Sequence, residues 1–215
     1  MRREEEFILG HTALVSPQAC PEIRLHLASE ITPIWQATES FLEAHNLAPP
    51  FWAFPWVGGQ ALARHLLDHP ELVRDRIVLD FAAGCGIVAI AAAKAGARKV
   101  EAAEIDPMAL AAIALNARAN GVEIGLAEGD VLERTDCPWD LILAGDVCYE
   151  RPMAEKVFAW MRACARQGAQ VLLADPGRAY LPKTGLMRLA ALTIACSLEL
   201  EDRESREVGI YRIVG

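Results

Sequence analysis

The stretch Val78-Leu79-Asp80-Phe81-Ala82-Ala83-Gly84-Cys85-Gly86-Ile87-Val88-Ala89, followed by Lys99-Val100-Glu101-Ala102-Ala103-Glu104-Ile105-Asp106-Pro107, reads as strand, glycine turn, helix, second strand and acidic end. Gly84 and Gly86 let backbone approach a ligand closely, and the helix that follows them starts with N–H groups that no intrahelical carbonyl can satisfy. Glu104 closes the second strand, where an acid can accept hydrogen bonds from ribose hydroxyls. The pattern predicts a cofactor site at the end of a parallel sheet.

Read literally, Gly84-x-Gly86-x-x-Ala89 also fits the dinucleotide fingerprint, in which a pyrophosphate sits against the turn and the helix N-terminus. Asp80 argues against that ligand. A carboxylate at the end of the first strand repels pyrophosphate but suits a cofactor that is cationic there, and S-adenosylmethionine carries both an ammonium and a sulfonium.

Outward from this segment, apolar strands alternate with amphipathic helices. Strands are predicted over 77–81, 99–104, 123–127, 140–145 and 170–175, with helices starting at Gly86, Pro107 and Pro152. Such alternation implies a parallel sheet in an α/β fold. A helix is then expected near 185–192, followed by a hairpin of two β-rich runs, 194–201 and 207–214. Upstream, helical patches are expected over 21–30 and 33–46, then a proline and aromatic cluster from Pro49 to Trp56 and a helix over 58–68. Residues 1–75 therefore read as an N-terminal helical extension packed on a core of 76–215.

The chain has 215 residues, 53% hydrophobic and 23% charged, enough for one domain with a substantial core. Its net charge of −8 opposes non-specific nucleic-acid binding and favours a basic protein partner. The apolar runs are shorter than the about 20 residues that span a bilayer, and Met1-Arg2-Arg3-Glu4-Glu5-Glu6 lacks the features of a targeting peptide, so a cytoplasmic, membrane-free protein is expected. The six cysteines show no metal-binding spacing and are expected to be reduced and mostly buried. His65 and His69 would share a helix face, but no third ligand accompanies them, and no metal is expected. The sequence leaves the oligomeric state open, with a monomer favoured.

The remaining acids fall at strand ends, where ligands of parallel sheets bind. Asp130, after the third strand, can accept from an adenine amino group, and Asp106 is placed to cap the helix begun by Pro107. Asp146 ends the fourth strand within Ala144-Gly145-Asp146-Val147-Cys148-Tyr149.

These residues carry a resemblance. Asp146 and Tyr149 match the Asp-x-x-Tyr that marks the family 16 methyltransferases, mostly protein-lysine methyltransferases. Three further segments resemble the electron transfer flavoprotein beta-subunit lysine methyltransferases: Cys20-Pro21-Glu22-Ile23-Arg24-Leu25, then 51–62 with Trp56-Val57-Gly58-Gly59, and Asp175-Pro176-Gly177-Arg178. The resemblance implies a Rossmann-like class I methyltransferase, with a mostly parallel seven-stranded sheet and a C-terminal antiparallel hairpin. It implies S-adenosylmethionine as cofactor, held by Trp56, Asp80, Gly84, Gly86, Glu104, Asp130 and Gly145, with Asp146 and Tyr149 catalytic. The implied substrate is a lysine of the electron transfer flavoprotein beta subunit. A ribosomal or other protein is the alternative, and a nicotinamide-dependent oxidoreductase or a non-catalytic binding module are the readings from other classes.

Three positions depart from the family pattern. Ala82 stands where glycine is frequent and so predicts a turn without positive φ, Glu104 replaces an aspartate, and Cys148 replaces a bulky aromatic. Arg178 has no assigned role, beyond the option of engaging an acidic group on the substrate protein.

Overall fold

The computed structural model describes residues 3–29, 49–127 and 129–214. Its centre is a seven-stranded sheet whose first five strands are β3 (Ile77–Phe81), β4 (Lys99–Ala103), β5 (Gly125–Leu126), β6 (Leu141–Gly145) and β7 (Gln170–Asp175). Two longer strands, β8 (Leu186–Ala195) and β9 (Ser205–Ile213), complete it in the order β5-β4-β3-β6-β7-β9-β8. The first five run parallel, and β9 pairs antiparallel to both β7 and β8. This is the class I methyltransferase sheet that the sequence predicted.

Helices cover both faces, so consecutive residues of one strand enter different cores. Val78, Leu141 and Leu172 pack with Leu62 and Leu66 of α2 (Val57–Asp68) and Ile90 of α3 (Ile87–Lys94). Leu79, Ile142 and Leu173 pack with Val157, Phe158 and Met161 of α5 (Arg151–Arg166). Burial on both faces explains why these strands read as continuous apolar runs. A third cluster joins α4 (Pro107–Asn120) to Ile8 of α1 (Arg3–His11) and to the aromatic box through Trp52 and Phe54. Asp106 caps α4 as expected, accepting from Met108 N at 2.8 Å.

Several expectations are corrected. The helix expected over 185–192 is the first part of β8, which pairs with β9 from Leu186 opposite Ile213 to Ala195 opposite Ser205. Its Leu, Met and Ala residues favour a helix in isolation, but the ladder to β9 satisfies their backbone and overrides that propensity. The run 194–201 is not one strand: β8 ends at Ala195, and Leu198–Glu201 forms the short helix α6. The patch 21–30 contains turns and β2 (Leu25–Leu27), which pairs with β1 (Ala13–Val15); Pro21 and the packing of Ile23 and Leu25 into the core set an extended path. The second expected patch, 33–46, lies outside the described residues. Ala82 adopts φ 53°, so the turn does require positive φ there despite the side chain.

Candidate active site

Asp80 lies in the β3 interior with Ala102 of β4 on one side and Leu143 of β6 on the other. It is buried, and its Oδ2 accepts from Ala89 N at 2.9 Å, which satisfies a donor in the first turn of α3. Burial pushes its pKa up to about 8, against the pull of the Ala89 hydrogen bond, with the nearby Glu104 carboxylate adding to the rise. Among the described residues no lysine or arginine pairs with it. A buried acid without a cation is a fitting seat for a positively charged ligand group.

The turn after β3 is shaped by left-handed backbone at Ala82, Gly84 and Gly86, with φ 53°, 53° and 78°. A Cβ on Gly86 would come within 3.2 Å of Ile113 of α4, so both conformation and space favour glycine. Glu104 Oε2 accepts from Gly84 N at 3.0 Å, and Oε1 accepts from Ile105 N at 2.8 Å. The acid thus ties the glycine turn to the carboxyl end of β4 while remaining part-exposed there. Asn116 of α4, which the sequence reading missed, is fully buried. It donates to Cys85 O at 2.8 Å and accepts from His26 N at 2.7 Å, locking the turn between α4 and β2. A polar residue among the apolar positions of α4 was the available signal. Asp130 caps a 3₁₀ turn through Leu132 N at 2.9 Å and pairs with Lys156 at 3.3 Å on the exposed surface.

The ends of β6 and β7 build the second half, with α2 and α6 closing on them. Asp146 follows β6 in a left-handed conformation, φ 56°, which turns its carboxylate back over the sheet. Its Oδ2 accepts from Gly58 N in the first turn of α2, and Oδ1 accepts from Arg178 Nη2 at 2.8 Å and Nε at 3.0 Å. Close approach requires two glycines: a Cβ on Gly145 would sit 2.7 Å from Gly59 N, and one on Gly58 would collide with Asp146 Oδ2 and reach 2.8 Å from Ala174 O. Burial pushes the Asp146 pKa up to about 6; Arg178 pulls it down, while Asp175 and Glu201 raise it.

Arg178 was left without a role by the sequence, yet it is the hub of this half. Asp175 shapes its turn, with Oδ1 accepting from Gly177 N at 2.7 Å and Arg178 N at 2.6 Å. The guanidinium then bridges Asp146 to Glu201 of α6, at 2.6 and 3.0 Å to the two Glu201 oxygens. Glu201 is also held by Arg206 at 3.3 Å. Nothing local in Leu198-Glu199-Leu200-Glu201 marks its last residue as part of a site.

An aromatic rim surrounds these groups. Trp56 anchors its indole N–H on Phe51 O at 2.9 Å, and the Arg178 guanidinium lies 6.0 Å from its ring centre. Phe51 bridges Trp56 and Tyr149, with ring centres at 5.9 and 5.8 Å. Tyr149 and Phe51 are about half exposed, at 47% and 48%. The half-buried Tyr149 hydroxyl is shifted upward by desolvation, then by Glu150 and Glu104. Trp52 and Phe54, by contrast, are buried in the packing against α4. The rings of His65 and His69 lie 4.7 Å apart and tilted by 55°, and no cluster of three or more metal-ligating side chains occurs among the described residues. No helix among them is long and apolar enough to cross a membrane.

A family model described as ribosomal protein L11 methyltransferase matches residues 61–147, which hold the glycine turn, β3 to β6 and Asp146. A Xenopus laevis protein named electron transfer flavoprotein beta subunit lysine methyltransferase is 40% identical over 184 residues, covering 85% of this chain and 74% of that protein. Its Danio rerio namesake is 35% identical over 215 residues, covering 97% of this chain and 82% of that one. The chain belongs to the electron transfer flavoprotein beta subunit lysine methyltransferase family. The fold is shared more widely: magnesium protoporphyrin IX methyltransferase from Synechocystis PCC 6803, solved with S-adenosylmethionine bound, superposes with a TM-score of 0.54 at 20% identity over 74% of this chain and 81% of that one. Membership in a methyltransferase family resolves the ambiguity of the glycine turn in favour of the sulfonium cofactor. The oxidoreductase reading is set aside.

Proposed function

We propose that the protein transfers methyl groups from S-adenosylmethionine to a lysine of the electron transfer flavoprotein beta subunit. The observation that carries this reading is the pair of buried carboxylates, Asp80 and Asp146, at the ends of the adjacent strands β3 and β6 in a chain of this family. Asp80 would face the cationic methionine end of the cofactor, Glu104 the ribose, and Asp130 the adenine, with Gly84, Gly86 and Gly145 allowing close backbone approach. Trp56 would cover the methionine end. The cofactor supplies an electrophilic methyl carbon whose bond to sulfur breaks, with its electron pair, as the amine nitrogen bonds to that carbon.

The protein's part is positioning. A lysine amine has an ordinary pKa of about 10.4, so it must shed a proton to water before it can attack. The rim of Phe51, Trp56 and Tyr149 would strip water from the lysine stem and orient it, and Asp146 would accept a hydrogen bond from the amine and aim its lone pair. The test is incubation of the pure protein with radiolabelled S-adenosylmethionine and purified electron transfer flavoprotein, then with fractionated cell extract. Methyl-lysine in the beta subunit supports the reading. Label in RNA or small molecules alone overturns it.

A further inference from the structure

Asp146 alone is poorly suited to activating a lysine, because an anion beside an amine favours the ammonium form that cannot attack. The structure supplies a counterweight. Arg178 grips Asp146 Oδ1 with two N–H groups, and is itself gripped by both oxygens of Glu201, whose side chain is only 2% exposed. This is a fork-shaped contact that a lysine in the same place could not make. We propose that Arg178 is a positioning residue, clamped by Glu201, that fixes the Asp146 carboxylate and sets a permanent positive charge beside the incoming lysine so that it loses its proton more readily.

The inference rests on the lysine methyltransferase reading. The charged and titratable groups around the pair come from every neighbouring element: Asp175 and its turn after β7, Glu201 on α6, Arg206 on β9, Cys196 after β8, Cys148 after β6, and the Gly58 N–H of α2. Two arginines stand against three acids, so removing Arg178 leaves Asp146, ionised in the alkaline range where the lysine sheds its proton, as an uncompensated anion next to the amine. The proton in question passes from the lysine ammonium to solvent water before methyl transfer.

The experiment is a pH profile of the single-turnover rate on the labelled lysine protein. Wild type is compared with Arg178→Gln, Arg178→Lys and the double variant Arg178→Gln/Glu201→Gln, and calorimetry with S-adenosylmethionine reports folding. The double variant removes both partners of the buried pair, so it leaves no orphaned Glu201 charge to unfold the chain. In Arg178→Gln and the double variant, the rising limb should move to higher pH by about one unit. KM for the substrate protein should fall, because the exposed anion holds the ammonium more tightly. Arg178→Lys keeps the charge and should keep the limb, with a lower plateau from looser orientation. A uniform drop in rate with an unmoved limb, or a raised KM, overturns the inference and leaves the function reading intact. A wild type that labels no protein lysine at any pH overturns both.

Discussion

At the β3–β4 end of the sheet, the buried carboxylate of Asp80 meets only nearby backbone, the Ala89 N–H in the first turn of α3. At the β6–β7 end, the buried carboxylate of Asp146 is held by Gly58, Arg178 and, through Arg178, Glu201, groups drawn from α2, the β7 turn and α6. Both acids are desolvated, but only the second has a cation against it. The first half holds a buried acid with no cation paired to it among the described residues; the second compensates its acid internally through Arg178.

The sharpest way to break this contrast is Asp146→Ala. Loss of the orienting carboxylate should lower turnover by roughly a hundredfold or more, because a misplaced amine forfeits most of its effective concentration. S-adenosylmethionine affinity, measured by calorimetry, should change little; near-normal turnover would remove Asp146 from the mechanism. Gly58→Ala attacks the same half from the opposite wall. The added methyl collides with Asp146 Oδ2 and Ala174 O, so destabilisation of about 1–3 kcal/mol is expected, seen as a lower Tm together with lost activity.

Asp80→Asn tests the other half. Removing the charge opposite a cationic ligand should weaken S-adenosylmethionine binding by about tenfold or more and leave the cofactor-free fold intact. The pH behaviour sharpens this. With a pKa of about 8 against an ordinary 3.8, folded Asp80 keeps a proton that the unfolded chain releases, so its contribution to stability is lost as pH rises through that window. A cation bound beside it reverses the preference, so binding at pH 7 should expel close to one proton in wild type and none in Asp80→Asn, measured by calorimetry in buffers of different ionisation enthalpy. The smallest effect belongs to Lys156→Ala. Its exposed pair with Asp130 should contribute about 0.2–1 kcal/mol at most, and a large change in stability would show that this surface contact matters more than its exposure implies.

Legibility followed the same division. Strands 77–81 and 170–175 were readable to the residue because each is a short apolar run bounded by turn chemistry. The helix expected over 185–192 failed because leucine, alanine and methionine carry no strand signal, and only the ladder to β9 makes that segment extended. Ala82 failed for a related reason: its positive φ is imposed by the turn it occupies, and a residue type only biases a dihedral. Glu201 was invisible because the last acid of a run that reads as a strand, 194–201, looks solvated; only the fold makes that end a short helix and sets Glu201 against Arg178.

By itself, the sequence determined the parallel α/β core, the cofactor class through Asp80 and the glycine turn, and the family through motifs spread along the chain. These are properties of local periodicity and of residue types at fixed spacing, and they survive without knowledge of long-range contacts. Only the tertiary structure decided that Gly58 and Gly145 exist for one backbone to press on another, and that Arg178 belongs to Asp146 and Glu201. Those relations join residues far apart in the chain, where charge, distance and burial are set by packing alone.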